Sequence, residues 1–474
     1  MRELYEAVIG IEVHVELATE SKIFCGCRVS FGASPNTNVC PVCMGFPGVL
    51  PALNEKAVDM AIKAGLALDC SIAGVTRFDR KNYFYPDLPK AYQISQNELP
   101  ICYGGGIDIS VGGEKKRVRI KRIHIEEDAG KLLHRDDVGT LIDYNRCGVP
   151  LIEIVSEPDM RTSAEAKAYL TELRTAILYT GISDCRMDEG SLRCDLNVSV
   201  RKKGSGEMGV RTEIKNVNSF AFAAKAIDYE IDRQKGLIER GEWVSAQTRR
   251  FDEVSGTTVL MREKESAADY RFFPEPDILP IYIEENRVEK IKKELPRKPS
   301  ERRNRYVREY GMSADDARIL TASLSIAEYF ERAAECSDYP STVANILICD
   351  VLAKTSADDF EPFISAEHLC EIAELYGSGV ISSSSVKKLL KLIVDSDLTP
   401  SQIVECEGLM QINDTELLER ILKEVFFEDP KLVADYKNGK FAARKAIIGR
   451  AMAKSQGRAN PVLLQEIFDR LIKG

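Results

Sequence analysis

Apolar and polar residues alternate along the first stretch of the chain. Ala7, Ile9, Ile11, Val13 and Val15 share one parity, and Glu12, His14 and Glu16 occupy the other after Val8 and Gly10. Period two marks a strand whose side chains alternate between faces, so this strand is expected to bury one face and present two carboxylates and an imidazole on the other. A second pair of segments, 107–111 and 118–126, meets across Gly112-Gly113 and reads as a hairpin. Val118 and Ile120 share one parity, whereas Ile123 and Ile125 share the opposite one. A bulge near Lys121-Arg122 reconciles the two halves and places His124 and Glu126 on the polar face. Helical periodicity appears at 164–179 and 221–235, and again at 343–352, 366–375 and 386–393. Breaks are expected at Thr399-Pro400 and Asp429-Pro430.

Glycine and proline sharpen this division. Residues 1–298 hold 23 of the 31 glycines and 13 of the 19 prolines, as a sheet-and-loop region would. The basic, proline-bracketed run 290–305 marks the join to a mostly helical remainder. The expected fold class is α+β: a largely antiparallel-sheet domain over 1–295, an all-α domain over 296–405 and a helical tail domain over 406–474. The chain has 474 residues, 44% of them hydrophobic and 29% charged, which excludes wholesale disorder. No apolar run approaches the roughly 20 residues of a membrane span. Glu3 and Glu6 argue against a secretory leader.

The net charge of −9 speaks against a protein that coats nucleic acid, DNA included, but the charge is uneven. Residues 431–474 carry 10 Lys/Arg against 3 Asp/Glu. Lys440, Arg444, Lys445, Arg450, Lys454 and Arg458 are therefore candidates for phosphate-backbone contacts, with a solvated helix face as the alternative. Residues 77–87 also interleave basic and aromatic side chains, a mix that binds phosphates and bases but that aromatic strands often share.

Thirteen cysteines is an odd count, and nine are scattered, which suits a reducing compartment, expected to be the cytoplasm. The other four, Cys25, Cys27, Cys40 and Cys43, form C-x-C and C-x-x-C pairs twelve residues apart. Two close thiol pairs suit a tetrahedral zinc ion better than chance pairing of small buried residues does. Four thiolates close the coordination shell, so the site is expected to be structural.

A second constellation is rich in carboxylates. Glu12, His14 and Glu16 supply one row, and His124, Glu126, Glu127 and Asp128 supply another. Hard oxygen ligands with an occasional imidazole suit Mg²⁺ or Mn²⁺. Two later clusters, 188–197 and 212–216, could close the site. A solvated strand face is the bland alternative; two of only four histidines beside these carboxylates weigh toward function. No G-x-x-x-x-G-K-[ST] is present, so nucleotide binding would not use a P-loop, and no G-x-S-x-G occurs.

Several strings are unusual enough to carry a resemblance: Val8-Ile-Gly-Ile-Glu12-Val-His14-Val-Glu16-Leu, Phe78-Asp-Arg-Lys-Asn-Tyr-Phe-Tyr-Pro-Asp87, Asp143-Tyr-Asn-Arg146-Cys-Gly148-Val-Pro150-Leu-Ile-Glu153-Ile-Val, Tyr270-Arg271-Phe-Phe-Pro274-Glu-Pro-Asp277 and Gly457-Arg-Ala-Asn-Pro461. In this order, and over essentially the whole chain, the sequence resembles the B-subunit (GatB) family of bacterial aspartyl/glutamyl-tRNA amidotransferases. The archaeal GatE relatives carry a large insertion for which residues 240–300 leave no room.

The resemblance implies an ATP-dependent transamidation of Glu-tRNA(Gln) or Asp-tRNA(Asn). The N-terminal domain would be a catalytic cradle that phosphorylates the tRNA-bound side-chain carboxylate and amidates it with ammonia. A partner amidase, the glutaminase of the complex, would supply that ammonia, and a small third subunit would complete a heterotrimer. Glu12, His14, Glu126 or Glu127, and Glu213 match the family's metal-binding positions and are assigned to Mg²⁺. Lys81, Arg146, Arg193 and Lys215 are candidate clamps for phosphate or carboxylate. The cysteines match a zinc knuckle that some members carry, and the tail would grip the tRNA. A non-catalytic, zinc-bearing tRNA adaptor is the rival reading, and a free-standing zinc hydrolase is a third that lacks an open metal position.

Overall fold

Strand β1 (Tyr5–Glu16) organises the N-terminal half. The structure, a computed structural model, describes residues 4–263, 270–355 and 359–473. It divides into two units between Lys298 and Pro299.

In the first unit β1 lies between two antiparallel neighbours. On one side are β3 (Pro150–Ser156) and then β2 (Glu114–Glu127); on the other are β4 (Leu192–Lys202), β5 (Thr212–Lys215), β6 (Gln247–Asp252) and β7 (Thr257–Glu263). The sheet order is β7-β6-β5-β4-β1-β3-β2, extended beyond β2 by the short strands Cys102–Tyr103 and Ser71–Ile72. Every pairing in this sheet is antiparallel except β5 with β6.

The alternation decides which face is core. Ile9, Ile11, Val13 and Val15 are buried with Ile123, Ile125, Ile152, Ile154, Leu196 and Val198 against helices α1 (Glu55–Ala67), α2 (Ser163–Thr180) and α3 (Phe220–Glu239). Each helix starts where a side chain satisfies an orphan amide: Asn54, Thr162 and Ser219 accept from the first turns. The hairpin of Gly106–Val111 with β2 turns at Gly112 and Gly113, both at positive φ. Val155 pairs with Arg122 and Ser156 with Ile120, so Lys121 is the extra residue of a bulge. Val118 and Ile120 therefore share the core face with Ile123 and Ile125, and His124 and Glu126 take the opposite one.

The second unit is helical among its described residues. Helices Ala366–Gly377 and Ser383–Leu392 stand where periodicity places them. The 343–352 segment differs: an α-helix, Pro340–Ile346, passes into a π turn, Leu347–Val351, and a 3₁₀ turn. Pro400 and Pro430 each begin a helix at its first position, where a missing N–H costs nothing. Apolar residues form two clusters, one from Tyr306 to Leu409 and one from Leu418 to Phe468.

The basic residues of the tail meet acidic ones. Lys440 pairs with Asp435, Arg444 with Asp469, Arg450 with Asp429 and Lys454 with Glu424 and Glu428. Arg458 donates to the Gly408 carbonyl at 2.7 Å, and Lys445 is exposed. The surplus seen over 431–474 comes partly from cutting the chain after three of these partners, Glu424, Glu428 and Asp429. Over 406–474 there are twelve Lys/Arg against ten Asp/Glu. The tail domain over 406–474 is thus nearly balanced in charge rather than basic.

Candidate active site

Strand register builds the site on the face away from the helices. His14 stands opposite Glu153 of β3 and Arg193 of β4, and Glu153 in turn stands opposite His124 of β2. Directly opposed side chains on a sheet lie about 5 Å apart, so these four form one line across the strands. Glu12 is opposite Asp195, and Asn197 is opposite Glu213.

Two clusters of ligand atoms result. In one, His14, Glu126 and Glu153 bring nitrogen and oxygens within 4.8 Å of one another; in the other, Glu12, Asp195 and Glu213 do the same. His14 Nε2 is 3.4 Å from Glu153 and 3.8 Å from Glu126. His124 Nε2 is 3.3 Å from Glu153 and 3.7 Å from Glu126. Ser95 donates to Glu126 at 3.2 Å, Asn197 to Glu12 at 3.0 Å and Thr248 to Glu213 at 3.0 Å. Lys215 pairs with Asp195 and Glu213.

The crowding shows in protonation. Burial, then the charge of Glu153, raises the Glu12 carboxyl above its ordinary value. Burial opposes the His14 cation, but Glu153, Glu126 and Asp195 overcome it and lift the imidazole to about 9. Burial also opposes the Glu153 anion, and the two imidazoles nevertheless hold it well below the usual carboxylate range. Burial and the neighbouring Asp128 push Glu16 up to about 8. These two clusters hold five carboxylates and one imidazole, flanked by Lys215 and His124, and they suit a hard divalent ion such as Mg²⁺.

The residues singled out from sequence divide between this face and its surroundings. Glu12, His14, Glu126 and Glu213 come together in the two clusters. Glu127 does not join them. Its opposite parity turns the side chain toward Lys90, with which it pairs, and its Oε1 accepts the Ile94 amide at 2.9 Å. Arg193 and Arg146 both engage Asp128, and Arg146 also donates to the Ala129 and Gly130 carbonyls. Lys81 sits over the Tyr270 and Tyr83 rings, 5.0 and 5.7 Å from their centroids, and its charge helps hold Glu126 ionised. Sequence reasoning passed over Glu153 as a ligand. The signal was a lone carboxylate in the apolar strand 150–156, at the parity that alternates with Ile152 and Ile154.

The four cysteines also come together. Their sulfurs lie within 4.8 Å of one another, with Cys40 and Cys43 at 3.9 Å. A tetrahedron with Zn–S near 2.3 Å needs sulfurs about 3.8 Å apart, so the donor set fits zinc. The Cys40–Cys43 knuckle is closed by Met44 N–H donating to the Cys40 carbonyl at 3.0 Å. Without metal, the Cys25 hydrogen bond pulls the Cys43 thiol down to about 4 against the effect of burial. A cavity of about 220 Å³ adjoins the knuckle, lined by Lys22, Cys43, Lys90, Tyr92 and Glu127 among others. Among the described residues no helix is long and apolar enough to cross a membrane.

The GatB/GatE catalytic domain family matches residues 7–289, and a GatB domain family matches 328–472. The B subunit of the aspartyl/glutamyl-tRNA(Asn/Gln) amidotransferase of Thermoanaerobacter sp. (strain X514) is 51% identical over 98% of both chains. The B subunits of the same name from Caldicellulosiruptor saccharolyticus and Thermodesulfovibrio yellowstonii are 50% and 48% identical, over 98% and 99% of both chains.

Proposed function

This chain belongs to the GatB/GatE family, and from that premise we propose that it is the B subunit of a tRNA-dependent amidotransferase and carries its kinase and transamidase site on the polar face of the β2–β5 sheet. The substrate is Glu-tRNA(Gln), Asp-tRNA(Asn) or both. A glutaminase partner supplies ammonia and a small third subunit completes the heterotrimer. The reaction belongs to protein synthesis, and the cytoplasm is its place.

A carboxylate resists amidation because its leaving group would be oxide. Transfer of the γ-phosphoryl group of ATP to a carboxylate oxygen releases ADP and creates an acyl phosphate. Ammonia then attacks the carbonyl carbon, the C–O bond to phosphate breaks, and inorganic phosphate leaves as the nitrogen loses a proton. Glu12, Asp195 and Glu213 on one side and His14, Glu126 and Glu153 on the other would hold Mg²⁺. Bound there, magnesium supplies the charge neutralisation that phosphoryl transfer requires. Asn197, Thr248 and Ser95 orient the carboxylates. Lys215 and Lys81 would meet phosphate oxygens, and Arg193 with Arg146 fixes the Asp128 end of the site.

One observation carries the reading: a line of acidic and imidazole side chains crosses adjacent strands and is largely turned from solvent. Desolvating such charges is costly even when they are paired, and an adaptor that only presents tRNA has no use for them. The test is ADP release by the assembled complex with Mg-ATP and Glu-tRNA(Gln), without glutamine, for wild type, E12Q, H14A and E153Q. Filter binding checks that tRNA is still held. Release that requires the misacylated tRNA and disappears in all three variants is expected. Wild-type turnover by the variants would move the site elsewhere, and no turnover by wild type that still binds tRNA would establish the adaptor.

A further inference from the structure

Lys22 has a solvent exposure of 0%. Burying an ammonium costs several kcal/mol unless an anion accompanies it, yet among the described residues no carboxylate lies within 4.0 Å of its Nζ. Glu127, across the same cavity, is already paired with Lys90. The Lys22 ammonium instead donates to Cys43 Sγ at 3.6 Å and to the Tyr144 carbonyl at 3.4 Å. Its position is fixed by the chain around it: Lys22 N–H donates to the Cys27 carbonyl and Ile23 N–H to the Gly148 carbonyl, both at 2.9 Å. The cation is thus built into the knuckle and aimed at one of its four sulfurs.

Zinc held by four thiolates leaves the centre with a net double negative charge. We propose that Lys22 is the buried counter-cation of this tetrathiolate centre, donating to the Cys43 sulfur and so setting how tightly the knuckle holds its ion. Partners of metal ligands commonly govern affinity in this way. The inference rests on zinc being the occupant of Cys25, Cys27, Cys40 and Cys43, and goes beyond it by giving a role to a residue outside the ligand set. It also accounts for a buried lysine that the transamidation chemistry does not use.

The experiment uses the full-length chain assembled with its partner subunits. Bound zinc is first counted in wild type by elemental analysis, and its affinity is then measured by competition with a chromogenic chelator. K22M keeps the unbranched apolar body of the side chain as far as Cε and removes the ammonium. A fall in zinc affinity of about 10–100-fold is expected. K90M removes a buried cation from the same cavity without touching a sulfur, and is expected to hold zinc as wild type does. In a C43S background, the further effect of K22M should shrink to about twofold or less, because the sulfur it contacts is gone. Should K22M fail to fold, K22Q gives the same comparison with a neutral donor. Zinc held as tightly by K22M or K22Q as by wild type overturns the proposal, as does an undiminished effect in C43S. Wild type without zinc overturns the zinc reading itself.

Discussion

Glu153 lies 3.4 Å from His14 Nε2 and 3.3 Å from His124 Nε2, and Glu153→Gln keeps its shape while removing its charge. In magnesium-free protein burial disfavours the His14 cation, yet Glu153, followed by Glu126 and Asp195, lifts it from 6.5 to about 9. The folded chain therefore holds this proton more tightly than the unfolded one. The stabilisation is complete below about pH 6.5 and is lost as pH rises through about 9. At 1.36 kcal/mol per pKa unit the gap amounts to ~3 kcal/mol. E153Q removes the largest favourable contributor, so His14 should titrate lower by about one unit or more, and ~1.4 kcal/mol or more of the pH-dependent stability should go with it. The chain has four histidines, few enough for imidazole signals to be followed by NMR titration and assigned with H14A. Urea unfolding across pH 6.5 to 9 gives the second readout. His14 still titrating near 9 in E153Q, with an unchanged stability slope, would refute the reasoning.

Three further outcomes are expected. Ile11 is buried on the helix-facing side of β1, and Ile11→Ala should cost ~2–5 kcal/mol in urea unfolding. Asp128 is buried between Arg193 and Arg146; D128N removes the anion they share, leaving Arg193 with Glu16 at 3.7 Å and Arg146 with two carbonyls, and should lower stability by ~2 kcal/mol, measured the same way. Lys445 is exposed whereas Lys454 pairs with Glu424 and Glu428. K445E should therefore weaken tRNA binding more than K454E in a filter assay, and should reduce the salt slope by about one.

What the sequence made legible was local. Alternation places Glu12 and His14 on one face of β1, and the parity change between Ile120 and Ile123 marks the bulge at Lys121. Glu153 stayed hidden because its role depends on register: only when β3 pairs with both β1 and β2 does one carboxylate stand between two imidazoles. The ambiguity between Glu126 and Glu127 has the same origin. Adjacent residues of a strand face opposite ways, and which way is inward depends on the partner strands. The tail misled for a different reason. A charge count over a window ignores that Glu424, Glu428 and Asp429, just upstream, fold back onto the basic residues they neutralise.

The bulge at Lys121 also bears on how this protein tolerates change. It separates the hairpin half of β2, which ends in an exposed glycine turn, from the half that carries His124 and Glu126. An unpaired residue lets one half shift its register while the other keeps its pairing with β3. Length variation arising in the hairpin is therefore absorbed before it reaches the ligands. The exposed glycine turn can vary in length among descendants of this chain, while Val118 and Ile120 stay tied to the core and the inner half stays paired with β3.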